Sequence, residues 1–375
     1  MTQTRAAILR TMGTAHPYAD SRPLSIETVT LDPPGRGEVL VAIKAAGLCH
    51  SDLSVINGDR PRPLPMALGH EAAGVVEALG EGVTDLSVGD HVVMVFMPSC
   101  GHCNPCAEGR PALCEPGAAA NGKGELLDGG RRIHDGHGDL NHHLGCSAFA
   151  ERAVVSRRSL VKIDPALSFA EAALFGCAVL TGVGAVVNTA GIKAGQSTVV
   201  VGLGGVGLAS VLGALASGAS PVVAVDLSED KLALARTLGT VATVNASDPD
   251  AVEQVRALTK GGADFVFEMA GSVRALDAAW RMTRRGGTTI TAGLPPPEAA
   301  LAVNVVSLVA EERTLKGSYI GTCVPSRDIP RYVALYRQGR LPVDRLMSGT
   351  VALDDINTAF DRLHAGQVVR TVVVF

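Results

Sequence analysis

The chain has 375 residues, more than one hydrophobic core usually spans, so two domains are expected. Hydrophobic residues at 47% and charged residues at 19% exclude a disordered chain, and a net charge of -4 with no run of one sign excludes the basic surface that grips nucleic acid. No basic-then-apolar leader and no uninterrupted apolar stretch of about 18 residues is present, so a cytoplasmic protein is expected, whose eight cysteines serve metal binding or catalysis rather than disulfides.

Up to about residue 175 the sequence is broken by Gly and Pro, with short apolar alternations at Val39–Ile43 and His91–Val95. These predict short strands in an irregular, mostly β domain. Within it, Cys100, Cys103, Cys106 and Cys114 crowd into CGHCNPCAEGRPALC. Four thiolates that close in sequence can surround one zinc with no open position, the pattern of a structural site. An iron–sulfur cluster is the rival, but its commonest run has three residues before a last Cys that is followed by Pro. A redox switch is a third reading, and it needs exposed, easily oxidised thiols. The segment from Glu115 to about His143, rich in Gly and polar residues, is expected to be a long surface loop.

From about residue 195 the texture changes. Ser197–Val201 is a buried-strand run, followed by a Gly-rich turn, an Ala/Leu helix, the strand Pro221–Asp226 and a charged helix from Glu229 to Leu238. Runs at Thr240–Val244, Asp264–Glu268 and Thr288–Thr291 continue the alternation, which argues for a parallel sheet of βαβ units. After about residue 320 the texture is mixed again and ends on a strand-like tail, Thr371–Phe375.

Gly202-Leu203-Gly204-Gly205-Val206-Gly207 fits G-x-G-x-x-G between a strand and a helix, the context that gives the pattern meaning. The glycines Gly202, Gly204, Gly205 and Gly207 admit the pyrophosphate close to the backbone, and the helix start offers free N–H groups. Asp226 closes the next strand, where a carboxylate accepts from both ribose hydroxyls and repels a 2′-phosphate, so NAD is expected over NADP. The plainer role for Asp226 is a cap on the helix near Ser228. Lys231, one turn on, is either a ribose contact or a solvated helix residue.

The chain resembles the zinc-containing medium-chain alcohol dehydrogenases. The resemblance runs through GLCHSD, GHEAAGVVEALGEGVTDLSVGDHV, the four-Cys loop, GCAVLTGVGAVVNTA, GLGGVGLA and RTVVVF, nearly the whole chain in family order. It implies an α/β protein with a GroES-like β catalytic domain at 1–178, completed by 320–375, and a Rossmann doubly wound NAD-binding domain at 179–319. It also implies a cleft between the domains and a homodimer or homotetramer formed through the cofactor domains. Two zinc ions per subunit follow. Cys49, His70 and Cys177 match the catalytic ligands, which no spacing rule assembles, and the four clustered cysteines match the structural lobe.

By the same resemblance Ser51 bonds the alcohol oxygen, Asp52 orients the histidine ligand, Glu71 stands behind the zinc, and His50 and Arg370 meet the cofactor pyrophosphate. Phe96, His143 and Tyr319 fall at pocket walls. Three rings at one site, in a chain with 3% aromatics, point to a primary aromatic or medium-chain alcohol as substrate. Ser54 stands where many relatives carry the relay histidine, and a hydroxyl is no base near pH 7.

Two rival functions follow. A glutathione-dependent formaldehyde (S-(hydroxymethyl)glutathione) dehydrogenase is suggested by His50, GEGVT and the GKG of the long loop. Against it, Ala118 stands where that class carries the Arg that meets the glutathione carboxylate, and its acidic substrate-side residue falls unclearly at Asp59 or Arg60. A non-catalytic NAD- or redox-sensing protein is the remote alternative, opposed by retention of all three ligands with Ser51.

Overall fold

Short apolar strands pair into two sheets in the N-terminal half of the computed structural model, which describes residues 1–375. β1 (Thr2–Leu9), β2 (Leu24–Leu31), β3 (Glu38–Gly47), β4 (Met66–Ala67), β5 (Ala72–Leu79), β6 (His91–Met94), β7 (Ile133–Asp135), β8 (Gly138–His142), β9 (Arg152–Ser156) and β10 (Leu160–Lys162) follow in order. β1, β2, β7, β8 and β4 close a barrel filled by Ile8, Val29, Leu31, Ile133, Leu140 and Val154. The second sheet runs β10-β6-β5-β3, with β9 also on β3.

The region from Glu115 to His143 corrects the sequence expectation of a long surface loop. It holds a helix, Glu115–Lys123, and the barrel strands β7 and β8, and it buries Leu140, His142 and His143. The helix starts because Cys114 Sγ accepts the Gly117 N–H and Pro116 suits a first turn, and it stops at Gly124 in the left-handed region. Strands of three and five residues are too short to print a period on the sequence.

Six parallel strands follow: β11 (Thr198–Val201), β12 (Val222–Asp226), β13 (Ala242–Asn245), β14 (Ala263–Glu268), β15 (Thr283–Thr291) and β16 (Thr314–Gly317), in the order β13-β12-β11-β14-β15-β16. β-branched runs set the strands, and Val199, Val201, Val223, Val225, Val244 and Val266 form their common core. The helix Gly205–Ala216 is apolar nearly all round and correspondingly buried, whereas Glu229–Leu238 is a surface helix capped by the Ser228 hydroxyl and ended by Gly239. Strand order reverses between β11 and β14, the doubly wound switch point.

β17 (Met347–Val351) and β18 (Arg370–Val374) return to the second sheet, β18 lying antiparallel on β3. The chain thus forms two units: Met1–Cys177 with Val324–Arg331 and Met347–Phe375, and Ala178–Cys323 with Tyr332–Leu346. The segment after residue 320 is therefore shared between the two units rather than returning whole to the first, and Leu341, Val343 and Leu346 are buried in the second. No helix is long and apolar enough to cross a membrane.

Candidate active site and cofactor turn

Cys49 caps the helix His50–Ile56 as β3 ends, His70 stands between β4 and β5, and Cys177 follows the helix Phe169–Leu174. Tertiary folding brings these distant positions together. Cys49, His70, Glu71 and Cys177 are all buried and offer ligand atoms within 4.8 Å of one another. Cys177 Sγ lies 3.5 Å from His70 Nε2. Gly69, at φ +94°, permits the turn: a Cβ there would overlap the backbone of Phe149. A Cβ at Gly47 would fall 2.7 Å from Glu71 Oε1, so that glycine makes room for the carboxylate.

Both Glu71 oxygens are fully buried without a hydrogen-bond partner, and Arg370 Nη1 is 3.6 Å from Oε2. Burial pushes the Glu71 carboxyl up to about 7 against the pull of Arg370. Two thiols, an imidazole and an orphaned carboxyl converging in a dry site fit a zinc ion. Arg370 is drawn inward, also donating from Nη1 to Leu48 O at 2.7 Å.

Asp52, without exposure, sits 3.0 Å from His70 Nδ1 through Oδ1, while Oδ2 accepts the Cys49 N–H at 3.3 Å. That pairing directs His70 Nε2 to the ligand cluster. Burial opposes ionisation of Asp52, yet the two imidazoles of His70 and His143 hold its carboxyl below the ordinary range. His143 Nδ1 lies 3.1 Å from the same Oδ1, a link the sequence did not suggest, and the His70 ring stands edge-on to both His143 and Phe96. Ser51 is partly exposed in the first helical turn and His50 is exposed beside it. Ser54 is committed elsewhere, donating to His50 O at 2.8 Å. Tyr319, in the second unit, is partly exposed between β16 and the short helix Ile320–Thr322.

Cys100, Cys103, Cys106 and Cys114 form a second cluster with sulfurs within 4.8 Å of one another. The backbone amides of Cys100 and Gly117 donate to Cys114 Sγ at 3.2 and 3.4 Å, and those of Cys103 and His102 to Cys100 Sγ at 3.3 and 3.5 Å. Sulfurs already served by N–H groups fit a tetrathiolate zinc site.

In the second unit Gly202 turns at φ +90°, and Gly204 caps the helix Gly205–Ala216. A Cβ on Gly207 would overlap Gly202 O, which fixes the close helix–strand packing that pattern requires. Val206 and Lys231 are partly buried in the first turns of their helices. Asp226 Oδ2 accepts the Leu203 N–H at 2.6 Å and Oδ1 that of Ser228 at 2.9 Å, so the carboxylate ties the glycine turn to the next strand while Ser228 caps the helix. A cavity of about 360 Å³ opens beside it, lined by Gly202, Asp226, Ser247, Val252 and Arg274. The contribution of Ser247, Val252 and Arg274 was missed by the sequence reading, because no motif marks the loop and helix that carry them.

A GroES-like β unit with a dispersed Cys/His cluster and a doubly wound unit with a glycine turn define a zinc-binding oxidoreductase of two-domain type. The family models for an alcohol dehydrogenase GroES-like domain and for a zinc-binding dehydrogenase match residues 35–165 and 205–338. S-(hydroxymethyl)glutathione dehydrogenase of Paracoccus denitrificans is 36% identical over 383 residues, covering 100% of both chains. Among solved structures, an alcohol dehydrogenase zinc-binding domain protein from Burkholderia ambifaria is 35% identical with a TM-score of 0.93, covering 100% of this chain and 99% of its own. Benzyl alcohol dehydrogenase from Acinetobacter calcoaceticus is 31% identical with a TM-score of 0.93, covering 100% of both. The chain belongs to the zinc-containing medium-chain alcohol dehydrogenase family, and its cofactors are zinc and NAD.

Proposed function

We propose that the protein oxidises a primary alcohol, aromatic or of medium chain length, to its aldehyde with NAD, and runs the reverse reduction. The observation that carries this is the buried convergence of Cys49, His70 and Cys177, with Ser51 in the first turn of the helix that Cys49 caps and Asp52 paired with the histidine. When bound, zinc supplies Lewis-acid polarisation of the alcohol oxygen and NAD the hydride acceptor. Ser51 takes the hydrogen bond from the alcohol hydroxyl and passes its proton outward. Ser54 is engaged with the helix backbone, so the proton leaves by exposed His50 or directly to solvent. Phe96 and His143 wall the substrate beside the histidine ligand. Cys100, Cys103, Cys106 and Cys114 would hold the second zinc, in a structural role. In the second unit the glycine turn carries the pyrophosphate and Asp226 the ribose, which selects NAD over NADP.

A second reading, S-(hydroxymethyl)glutathione oxidation, is favoured by the Paracoccus relative. Ala118 opposes it: the residue is exposed on the helix Glu115–Lys123 and offers no cation to a glutathione carboxylate. Initial rates of NAD reduction with benzyl alcohol, and with formaldehyde in the presence and absence of glutathione, decide between them. Turnover of benzyl alcohol without glutathione supports the first reading. Turnover confined to formaldehyde plus glutathione replaces it with the second.

Assembly is read as a homodimer through the second unit, the starting point for any tetramer. The helix Val305–Ala310 exposes Val305, Val306 and Val309, each about 70% accessible, beside the open edge strand β16. An apolar helix face next to an unpaired strand edge is a self-association surface.

A further inference from the structure

Glu268 ends β14 at the carboxyl edge of the parallel sheet, next to the switch point, and is 1% exposed. No lysine or arginine is paired with it. Its Oε1 accepts the N–H groups of Ala270 and Gly271 at 2.8 and 2.6 Å, and its Oε2 accepts the Thr291 hydroxyl at 2.7 Å. One carboxylate therefore joins the turn after β14 to the loop after β15.

The backbone packing around it is unusually close. A Cβ on Gly293 would overlap Gly271 and fall 2.7 Å from Glu268 Oε2, and a Cβ on Gly202 would fall 2.7 Å from Ala270 N. Three loops, following β11, β14 and β15, thus touch backbone to backbone, with Glu268 beneath them. In a doubly wound sheet a dinucleotide lies across the carboxyl ends of the strands, one mononucleotide half on each side of the switch point. Asp226 on β12 marks the adenosine half, so the loops after β14 and β15 floor the other half.

We infer that Glu268 is a positioning residue for the nicotinamide half of the cofactor site, clamping the 269–271 turn and the 291–293 loop into one rigid floor. This rests on the reading of the glycine turn and Asp226 as the NAD site. A buried carboxyl group whose partners are two backbone amides and a hydroxyl fixes loop geometry because each lost hydrogen bond leaves a buried polar atom unsatisfied.

The test titrates full-length zinc-loaded protein with NADH and with AMP, which occupies the adenosine half alone. Glu268→Leu is expected to weaken NADH about tenfold while AMP changes less than about twofold, since disordered loops tax the nicotinamide end only. Glu268→Gln, which keeps an acceptor for both amides, is expected to restore NADH binding to within about threefold of the parent. Should the leucine variant not fold, Gly293→Ala serves in its place, since the added methyl forces the two loops apart. NADH binding unchanged in the leucine and alanine variants overturns the inference, as does an equal loss of NADH and AMP, which marks general loosening. Failure of the unaltered protein to bind NADH and AMP overturns the NAD-site reading itself and the inference with it.

Discussion

Asp52 and His70 are both sealed from solvent and paired at 3.0 Å, so the Asp52 carboxylate is proposed to select the histidine tautomer and ring direction in the ligand cluster. Asp52→Asn keeps the shape but removes the charge shared between His70 and His143. Zinc retention against a competing chelator and kcat/KM are each expected to fall about 10–100-fold with little change in secondary structure. A variant that retains zinc and turns over like the parent would show that packing alone orients the histidine. At the cofactor turn, Asp226→Ala removes both the expected ribose acceptor and the tie to Leu203. The ratio of NAD to NADP specificity constants is expected to fall at least about tenfold, the worth of one charge-assisted interaction. An unchanged ratio would leave Asp226 only its backbone contacts. These residues differ in how far the sequence exposed them. The four clustered cysteines and the glycine turn carry their chemistry in their spacing. Cys49, His70 and Cys177 do not, because tertiary folding alone gathers them, and only family resemblance joined them. Glu268 was invisible because a strand-ending carboxylate shows its role only in the loops it meets.

At the scale of elements, His134 stitches the barrel. It stands on β7 with Nε2 2.7 Å from Asp32, beside the end of β2, and Nδ1 2.8 Å from Asp139 on β8. The Asp32 hydrogen bond first, and Asp139 with it, holds the imidazolium above its ordinary pKa. A raised folded-state pKa gives stability that is fully present below the unfolded value and lost as pH rises through the folded one. The difference in melting temperature between parent and His134→Gln is therefore expected to be largest near pH 6 and to shrink by pH 9, with a full size below about 1 kcal/mol given the exposed partners. His142, which burial holds near a pKa of about 3, penalises the fold at low pH in both proteins, and because the His134 charge is the smallest cause of that shift the difference cancels most of the penalty. A difference that is flat across the range would show that the bridge adds no charge-dependent stability. The same region shows why the sequence misled. Gly117, Asn121 and Gly122 are poor helix formers, and the helix Glu115–Lys123 stands on the Cys114 cap and on Asn121 Nδ2 donating to Phe96 O at 2.8 Å. Tertiary contacts, which composition cannot register, overrode propensity there.

At the scale of the whole molecule, the change from Gly/Pro-broken strands to regular βαβ alternation was legible along the chain, since parallel strands buried on both faces print continuous β-branched runs. The division of the C-terminal segment was not, because Leu341, Val343 and Leu346 look like any apolar residues until their partners are known. The proposed assembly rests on what the second unit leaves uncovered. Val305, Val306 and Val309 lie on one short helix, and burying a valine contributes about 1.5–3 kcal/mol, so leaving three in water is costly unless a partner covers them. β16 adds a strand edge whose outer N–H and C=O groups have no neighbouring strand. In the proposed dimer a two-fold axis through this face would satisfy both demands at once, since each copy would present the same helix and edge to the other. Val306→Glu would then set a charged carboxylate among the exposed valines that the proposed interface buries. Sedimentation velocity is expected to show the parent as a dimer or a multiple of it, and the variant shifted toward monomer with its far-UV spectrum unchanged. A parent that sediments as a monomer, or a variant that keeps the parent's mass, would move the interface away from this helix and leave its valines to some other contact.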